Sequence, residues 1–244
     1  MLLLTAVAAC SQNAAGLAED FFLKVKENDL EGAKRITRAL ASLPVTALKA
    51  QLDTEKEAKA FWLNLYNTYV QYLLKRDAKL FEDRSSFFKD ERIPIAGVLL
   101  SLDDIEHGII RRSKNKYSFG YLDKFFVPEF EQQFRLQVVD YRIHFALNCG
   151  AKSCPPIMFY KPATVEEQLD RSALLYLRRF ARYDRKKNIL YAPALCSWYT
   201  ADFGGEDGVI GIMKQHGIVP QDQEPDVKYT DYNWTLSLSN YIEP

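Results

Sequence analysis

The chain has 244 residues, enough for one large domain or two small ones, with 48% hydrophobic and 26% charged residues. Its 14 Tyr, 15 Phe and 3 Trp supply side chains for a sizeable core, which excludes disorder over most of the length. The 32 Lys and Arg balance 32 Asp and Glu, so no global field selects nucleic acid, and the cluster Arg178, Arg179, Arg182, Arg185, Lys186 and Lys187 reads as a solvated helix face.

The first nine residues are uncharged and mostly apolar, and they run into Val7-Ala8-Ala9-Cys10-Ser11. An apolar stretch closed by small residues has the form of an export signal. Small residues directly before a Cys resemble a bacterial lipobox, which implies that Cys10 is lipidated and becomes the mature N-terminus. The expectation is a signal and polar tether over residues 1–16, then a single globular domain over 17–244, held to the membrane only by that anchor in the periplasm or outer membrane. No later stretch approaches the ~18–20 apolar residues of a membrane span.

Helical spacing predicts a first helix over Leu17–Lys26 and a second near Leu30–Leu43, broken by Pro44. A long helix is expected from about Thr54 to Leu74, with Phe61, Leu65 and Tyr69 on a buried face widened by Trp62, Tyr66 and Leu73. Asn64 and Asn67 lie three apart in this aromatic surround. A buried Asn must satisfy several donors and acceptors, so the pair either pins backbone or orients a catalytic group.

Ile93–Ala96 reads as a short strand. Ser101 is expected to cap a helix through Arg112, with Asp103 and Asp104 in its first turn. Gln137–Leu147 alternates as a strand, with Val139, Tyr141, Ile143, Phe145 and Leu147 on one face and His144 on the other. An irregular loop, Asn148 to Pro156, follows. Thr164 and Glu167 suggest a capping box for a helix to about Phe180, and Gly217 closes a short helix over Gly208–Gln215. Extended segments are expected at Asn188–Tyr191, Val227–Tyr229 and Trp234–Leu238. Early helices and scattered late strands predict an α+β fold: a helix-rich N-terminal half on a small mixed or antiparallel sheet.

Four blocks stand out in order. They are Phe61 to Asn67 (FWLNLYN), Leu102 to His107 (LDDIEH), Arg142 to Pro155 (RIHFALNCGAKSCP), and Trp198-Tyr199 with Asp202-Phe203-Gly204 and Tyr232 to Leu236 (YNWTL). Together they resemble the DUF547 family over roughly Asp53 to Leu238. The resemblance implies exported bacterial and cytosolic eukaryotic relatives, and it brings no established reaction. This chain departs from the usual pattern at Asn233, where Asp is common, and at Thr235-Leu236-Ser237, in place of Ser-Leu-Asn.

The block from His144 to Cys154 combines two thiols, the Ser153 hydroxyl, an imidazole and loop amides. A nucleophilic Cys needs a depressed pKa from a neighbouring imidazole or from N–H donors. The expectation is therefore a cysteine-dependent hydrolase or acyl transferase acting on an amide or thioester of a small molecule or peptide. Cys149 would be the nucleophile, His144 the base, Glu106 the carboxylate orienting it, and the amides of Gly150 and Ala151 the oxyanion donors. His107 is the alternative base. Cys149 and Cys154 could instead form a structural disulfide in a non-catalytic envelope binding module. Redox cycling is a third reading, although the spacing is not Cys-x-x-Cys. The His and Cys spacings match no zinc pattern, and no metal or cofactor is expected. If Cys10 carries lipid, Cys149, Cys154 and Cys196 remain, and Cys196 reads as core. Trp198, Tyr199, Tyr232 and Trp234 read as core packing, with a ligand cleft as the alternative.

Overall fold

The computed structural model describes residues 13–242, so Cys10 and its lipobox-like surround lie outside the described residues. The N-terminal half is helical: α1 (Ala14–Lys26), α2 (Leu30–Ala41), α3 (Val45–Gln51), α4 (Glu55–Arg76) and α5 (Arg84–Lys89). Residues 14–16, expected in a tether, belong to α1 instead: Asn13 caps the helix through its side chain and the buried Ala14 N–H donates to Gln51 Oε1 at 2.6 Å. A capping box between Thr54 and Glu57 starts α4.

Every residue of α4 from Lys59 to Leu74 is buried, on all faces rather than along one stripe. The helix is therefore the axis of the core, and its polar side chains need partners. Asn64, Asn67 and Gln71 form an amide row along it. Asn64 donates to the Tyr160 carbonyl and accepts the Tyr160 N–H, both at 2.8 Å. Asn67 donates to the Ala146 carbonyl at 2.9 Å and accepts the Asn148 N–H at 2.7 Å. Gln71 accepts the Ser239 N–H at 2.8 Å. Each amide thus fixes a loop that has no regular structure of its own, and leaving such a buried group unpaired costs about 1–3 kcal/mol.

A hairpin of β1 (Ile93–Ile95) and β2 (Val98–Leu100) follows. Ser101 then caps the next helix reciprocally with Asp104, but residues Asp104–Ile110 wind as a π-helix, with Arg111 N–H donating to the Glu106 carbonyl and Ser113 N–H to Gly108. Helix α6 (Glu129–Phe134) precedes the segment expected to be a strand. Residues Tyr141–Phe145 are instead a 3₁₀ turn, because Asp140 accepts the Arg142 N–H and, among the described residues, no partner strand lies alongside.

Helix α7 (Val165–Phe180) packs against that turn. The expected capping box at its start is not formed; the Thr164 hydroxyl turns to Gln168 Oε1. Strands β3 (Arg182–Asp184), β4 (Ile189–Ala192) and β5 (Asp226–Tyr229) make a mixed sheet, antiparallel between β3 and β4 and parallel between β4 and β5. Helices α8 (Ala194–Trp198) and α9 (Gly205–Gln215) complete the C-terminal part, where Leu177, Leu190, Val209 and Met213 share a second core cluster. The architecture is the α+β arrangement the sequence predicts. Trp234–Leu238 is not a strand; it runs along the loop at 150–153, with Lys152 N–H bonded to Thr235, Ser153 N–H to Asn233 and Ser237 N–H to Gly150. Asn233 Oδ1 also accepts the Thr235 N–H, which closes a local turn. Among the described residues, no helix is long and apolar enough to cross a membrane.

Candidate functional site

The π-helix, the 3₁₀ turn, the loop after it and the C-terminal segment converge on a cavity of about 260 Å³. Its aromatic walls are Tyr66, Phe88, Trp198, Tyr199, Tyr232 and Trp234, and its polar lining includes Asp103, Glu106, His107, Lys116 and His144. Cys149 also reaches it. Trp198 and Trp234 stack at 5.6 Å with planes 17° apart, and Tyr232 tilts against both. Trp198, Tyr199, Tyr232 and Trp234, expected in the core, stand half-buried on the wall of the cavity.

His144 lies on Tyr199, the ring centroids 3.9 Å apart. Its Nε2–H donates to Asp202 Oδ2 at 2.8 Å, and Arg111 Nε donates to the same oxygen at 2.7 Å. Asp202 and Arg111 are sealed from solvent. Gly120 roofs the pair: its backbone has φ +89°, and a Cβ there would strike Asp202 Oδ1, so this position needs glycine both for its conformation and for the room it leaves. Burial opposes charge on Asp202, but the bonds from His144 and Arg111 outweigh it and hold the carboxyl down at about 2. Burial likewise pushes His144 below the usual histidine range, against the pull of Asp202. A neutral ring that donates from Nε2 carries its lone pair on Nδ1.

Glu106 has a different function from the one its sequence position suggested. Its carboxylate accepts from the hydroxyls of Tyr66 at 2.8 Å and Tyr199 at 2.7 Å. Burial raises its carboxyl, yet His107, both tyrosines and Arg111 bring it below the ordinary glutamate range. The carboxylate orienting His144 is therefore Asp202, and Glu106 positions the tyrosine beneath that imidazole. His107 accepts from Arg111 Nη1 at Nδ1, at 2.8 Å, and burial drives its pKa down to about 3. Its Nδ1 lone pair is therefore occupied.

Cys149 and Cys154 are joined as a disulfide. Cys149 is half-buried at the cavity, whereas Cys154 is 1% exposed. Cys154 Sγ accepts the N–H groups of Cys149 at 3.0 Å and Ala151 at 3.2 Å, and the Gly150 N–H goes to Asn148 Oδ1. The amides of Gly150 and Ala151, expected as oxyanion donors, are thus already engaged within the loop. Gly150 has φ +89°, and a Cβ there would press on Leu74 Cδ1 at 2.7 Å, which fixes the tight approach of this loop to α4.

The profile of the family described as "Protein of unknown function, DUF547" matches residues 50–177. The chain belongs to this family. No curated protein and no solved structure matches it significantly. The family match carries α4, the π-helix and the Cys149–Cys154 loop, while Tyr199, Tyr232 and Trp234, which complete the cavity, and Asp202, which holds His144, follow it in the chain.

The structure brings Cys149, His144, Glu106 and His107 to one cavity. Asn64, Asn67 and Ser153 do not line it: the asparagines pin loops, and Ser153 Oγ accepts the Asn233 N–H at 2.9 Å. Among the described residues Cys196 is the free thiol, its pKa pushed up to about 12 by burial. No group of three or more His, Cys, Asp or Glu among the described residues is placed to hold a metal ion. Sequence reasoning missed the roles of Asp202 and Arg111, and offered Tyr232 only as core or cleft wall without its contact to the two sulfurs. Asp202 belongs to a motif block already singled out, but nothing local shows that it reaches His144 across 58 positions.

Proposed function

We propose that this DUF547 member is a thiol-dependent enzyme that transfers or hydrolyses a small acyl group, as an amide or thioester, when its Cys149–Cys154 bridge is open. The observation that carries the reading is the Asp202–His144 pair set behind a cavity that Cys149 also lines. His144 Nδ1 takes the Cys149 proton, the sulfur attacks the acyl carbon, and the proton passes to the departing amine or thiol. Water or a second acceptor then releases the acyl group from the sulfur. Asp202 fixes the tautomer and orientation of the ring. Tyr232 OH, 3.3 Å from Cys149 Sγ, is the donor nearest the reacting centre.

In the reduced chain, iodoacetamide should alkylate Cys149 faster than the buried Cys196. The pH profile should place Cys149 below the ordinary thiol range near 8.5. His144→Ala and Asp202→Asn should both move the profile upward. A Cys149 that titrates as an ordinary thiol, unmoved by either change, would remove the catalytic reading. It would favour the second one, a binding module whose loop the bridge holds in shape, which the bridge itself supports.

The reading sets the chain in the bacterial envelope on a lipid anchor at Cys10, supported by the lipobox-like run before it and by a bridge suited to an oxidising compartment. Cells fed labelled palmitate should label the wild-type chain and not Cys10→Ser; an unlabelled wild type rules the anchor out.

A further inference from the structure

The two sulfurs of the bridge have unequal surroundings. Cys149 Sγ meets the cavity, while Cys154 Sγ lies behind it and accepts two backbone N–H groups; Tyr232 OH sits between the two, 3.2 Å from Cys154 Sγ and 3.3 Å from Cys149 Sγ. A disulfide sulfur carries no proton, so the Tyr232 hydroxyl is the donor. Two N–H donors are fixed on Cys154 Sγ alone, and with the shared Tyr232 hydroxyl free to turn to it when the bridge opens they form a cradle for negative charge. Thiol–disulfide exchange requires an attacked sulfur that is reachable and a leaving sulfur that is stabilised as thiolate. Here those requirements are divided between Cys149 and Cys154.

We infer that the oxidised chain is itself a thiol–disulfide exchange site for small-molecule thiols, opened only from the Cys149 side. A thiolate RS⁻ entering the cavity attacks Cys149 Sγ. The Cys149–Cys154 bond breaks, its electron pair moves to Cys154 Sγ in the cradle, and a mixed disulfide R–S–S–Cys149 forms. A second thiolate attacks the sulfur of R, which gives R–S–S–R and releases Cys149 as a thiolate. Two thiols are oxidised to one disulfide, the protein gains two electrons, and the two protons lost by the thiols become available to Cys149 and Cys154. The recessed position of Cys149 in a cavity of about 260 Å³ admits a small thiol and excludes a cysteine on a folded protein surface. The inference shares Cys149 with the acyl-transfer reading and adds both the activity of the bridged form and the residues that direct it.

The test uses the full oxidised chain mixed with 2-mercaptoethanol, quenched in acid to stop exchange, digested with pepsin and mapped by mass spectrometry. The adduct is expected on Cys149 with Cys154 free. At equal thiolate concentration, a single surface cysteine on a folded carrier protein should open the bridge at least about tenfold more slowly. Tyr232→Phe should slow opening on the order of fivefold, since one hydrogen bond to a charged leaving group is lost. Adduct on Cys154, a bridge that opens only after urea unfolding, equal rates for both thiols, or a Tyr232→Phe chain that opens at the wild-type rate would each overturn the inference. If Tyr232→Phe fails to fold, the wild-type adduct position decides. Opening at Cys149 in the oxidised chain, beside an ordinary Cys149 in the reduced one, would sink acyl transfer alone; a resistant bridge beside an activated reduced Cys149 would sink exchange alone.

Discussion

Asp202→Ala is expected to lower unfolding free energy by about 3–5 kcal/mol, the range for removing one partner of a buried ion pair. The carboxylate is 1% exposed, and one of its oxygens accepts from both Arg111 and His144. Without it, Arg111, which is wholly buried and lies over the Tyr199 ring with its guanidinium carbon 4.5 Å from the centroid, loses its hydrogen-bonded counterion and keeps only the weaker, unbonded pull of the Glu106 carboxylate. His144 loses the bond that fixes its orientation. Asp202→Asn keeps shape and one acceptor and should cost less than Ala, while Asp202→Leu combined with Arg111→Met should recover much of the loss by removing both charges. Urea denaturation of the four chains measures this. A loss below about 1 kcal/mol for Asp202→Ala would mean that the pair contributes orientation without stability.

Acid should weaken the fold well above the range where carboxylates titrate. Burial holds His107 down at about 3 from an ordinary 6.5, and it shifts His144 and His216 in the same direction. Below pH 6.5 the unfolded chain binds protons that the native histidines refuse, so stability rises with pH in this window and falls as pH is lowered. Each of the two buried histidines, His107 and His144, contributes a slope of about 1.4 kcal/mol per pH unit while it is kept neutral, and for His107 the loss accumulates toward pH 3. Asp202 acts lower down: with its carboxyl held at about 2, its contribution is present above the ordinary value of 3.8 and is lost as pH falls through 2. Urea midpoints at pH 7.5, 6, 5 and 4 should therefore decline from about pH 6.5, and His107→Gln should remove about one proton from the slope. A flat profile down to pH 4.5 would show that the native histidines protonate freely.

These expectations come from partners far apart in the chain, and that separation marks what could be read in advance. The apolar spacing around Phe61, Leu65 and Tyr69 is local, and it located α4 to within two residues at its C-terminal end. The burial of α4 on every face was not visible, because it depends on the segments that surround the helix. Similarly, Ile143, Phe145 and Leu147 alternate as a strand would. The cap from Asp140 and, among the described residues, the lack of a neighbouring strand turned that segment into 3₁₀ instead.

By itself the sequence determined the α+β class, the family, the helix boundaries governed by caps and spacing, and the block holding His144 and Cys149, since each is written in neighbouring residues. Only the tertiary structure decided that Asp202 rather than Glu106 holds His144, that the loop amides turn to Cys154 and Asn148, and that the late aromatics wall a cavity. Hydrogen bonds and charge pairing act through distances in space. Residues 58 positions apart acquire such a distance only once α4 and its amide row have fixed the loops that carry them.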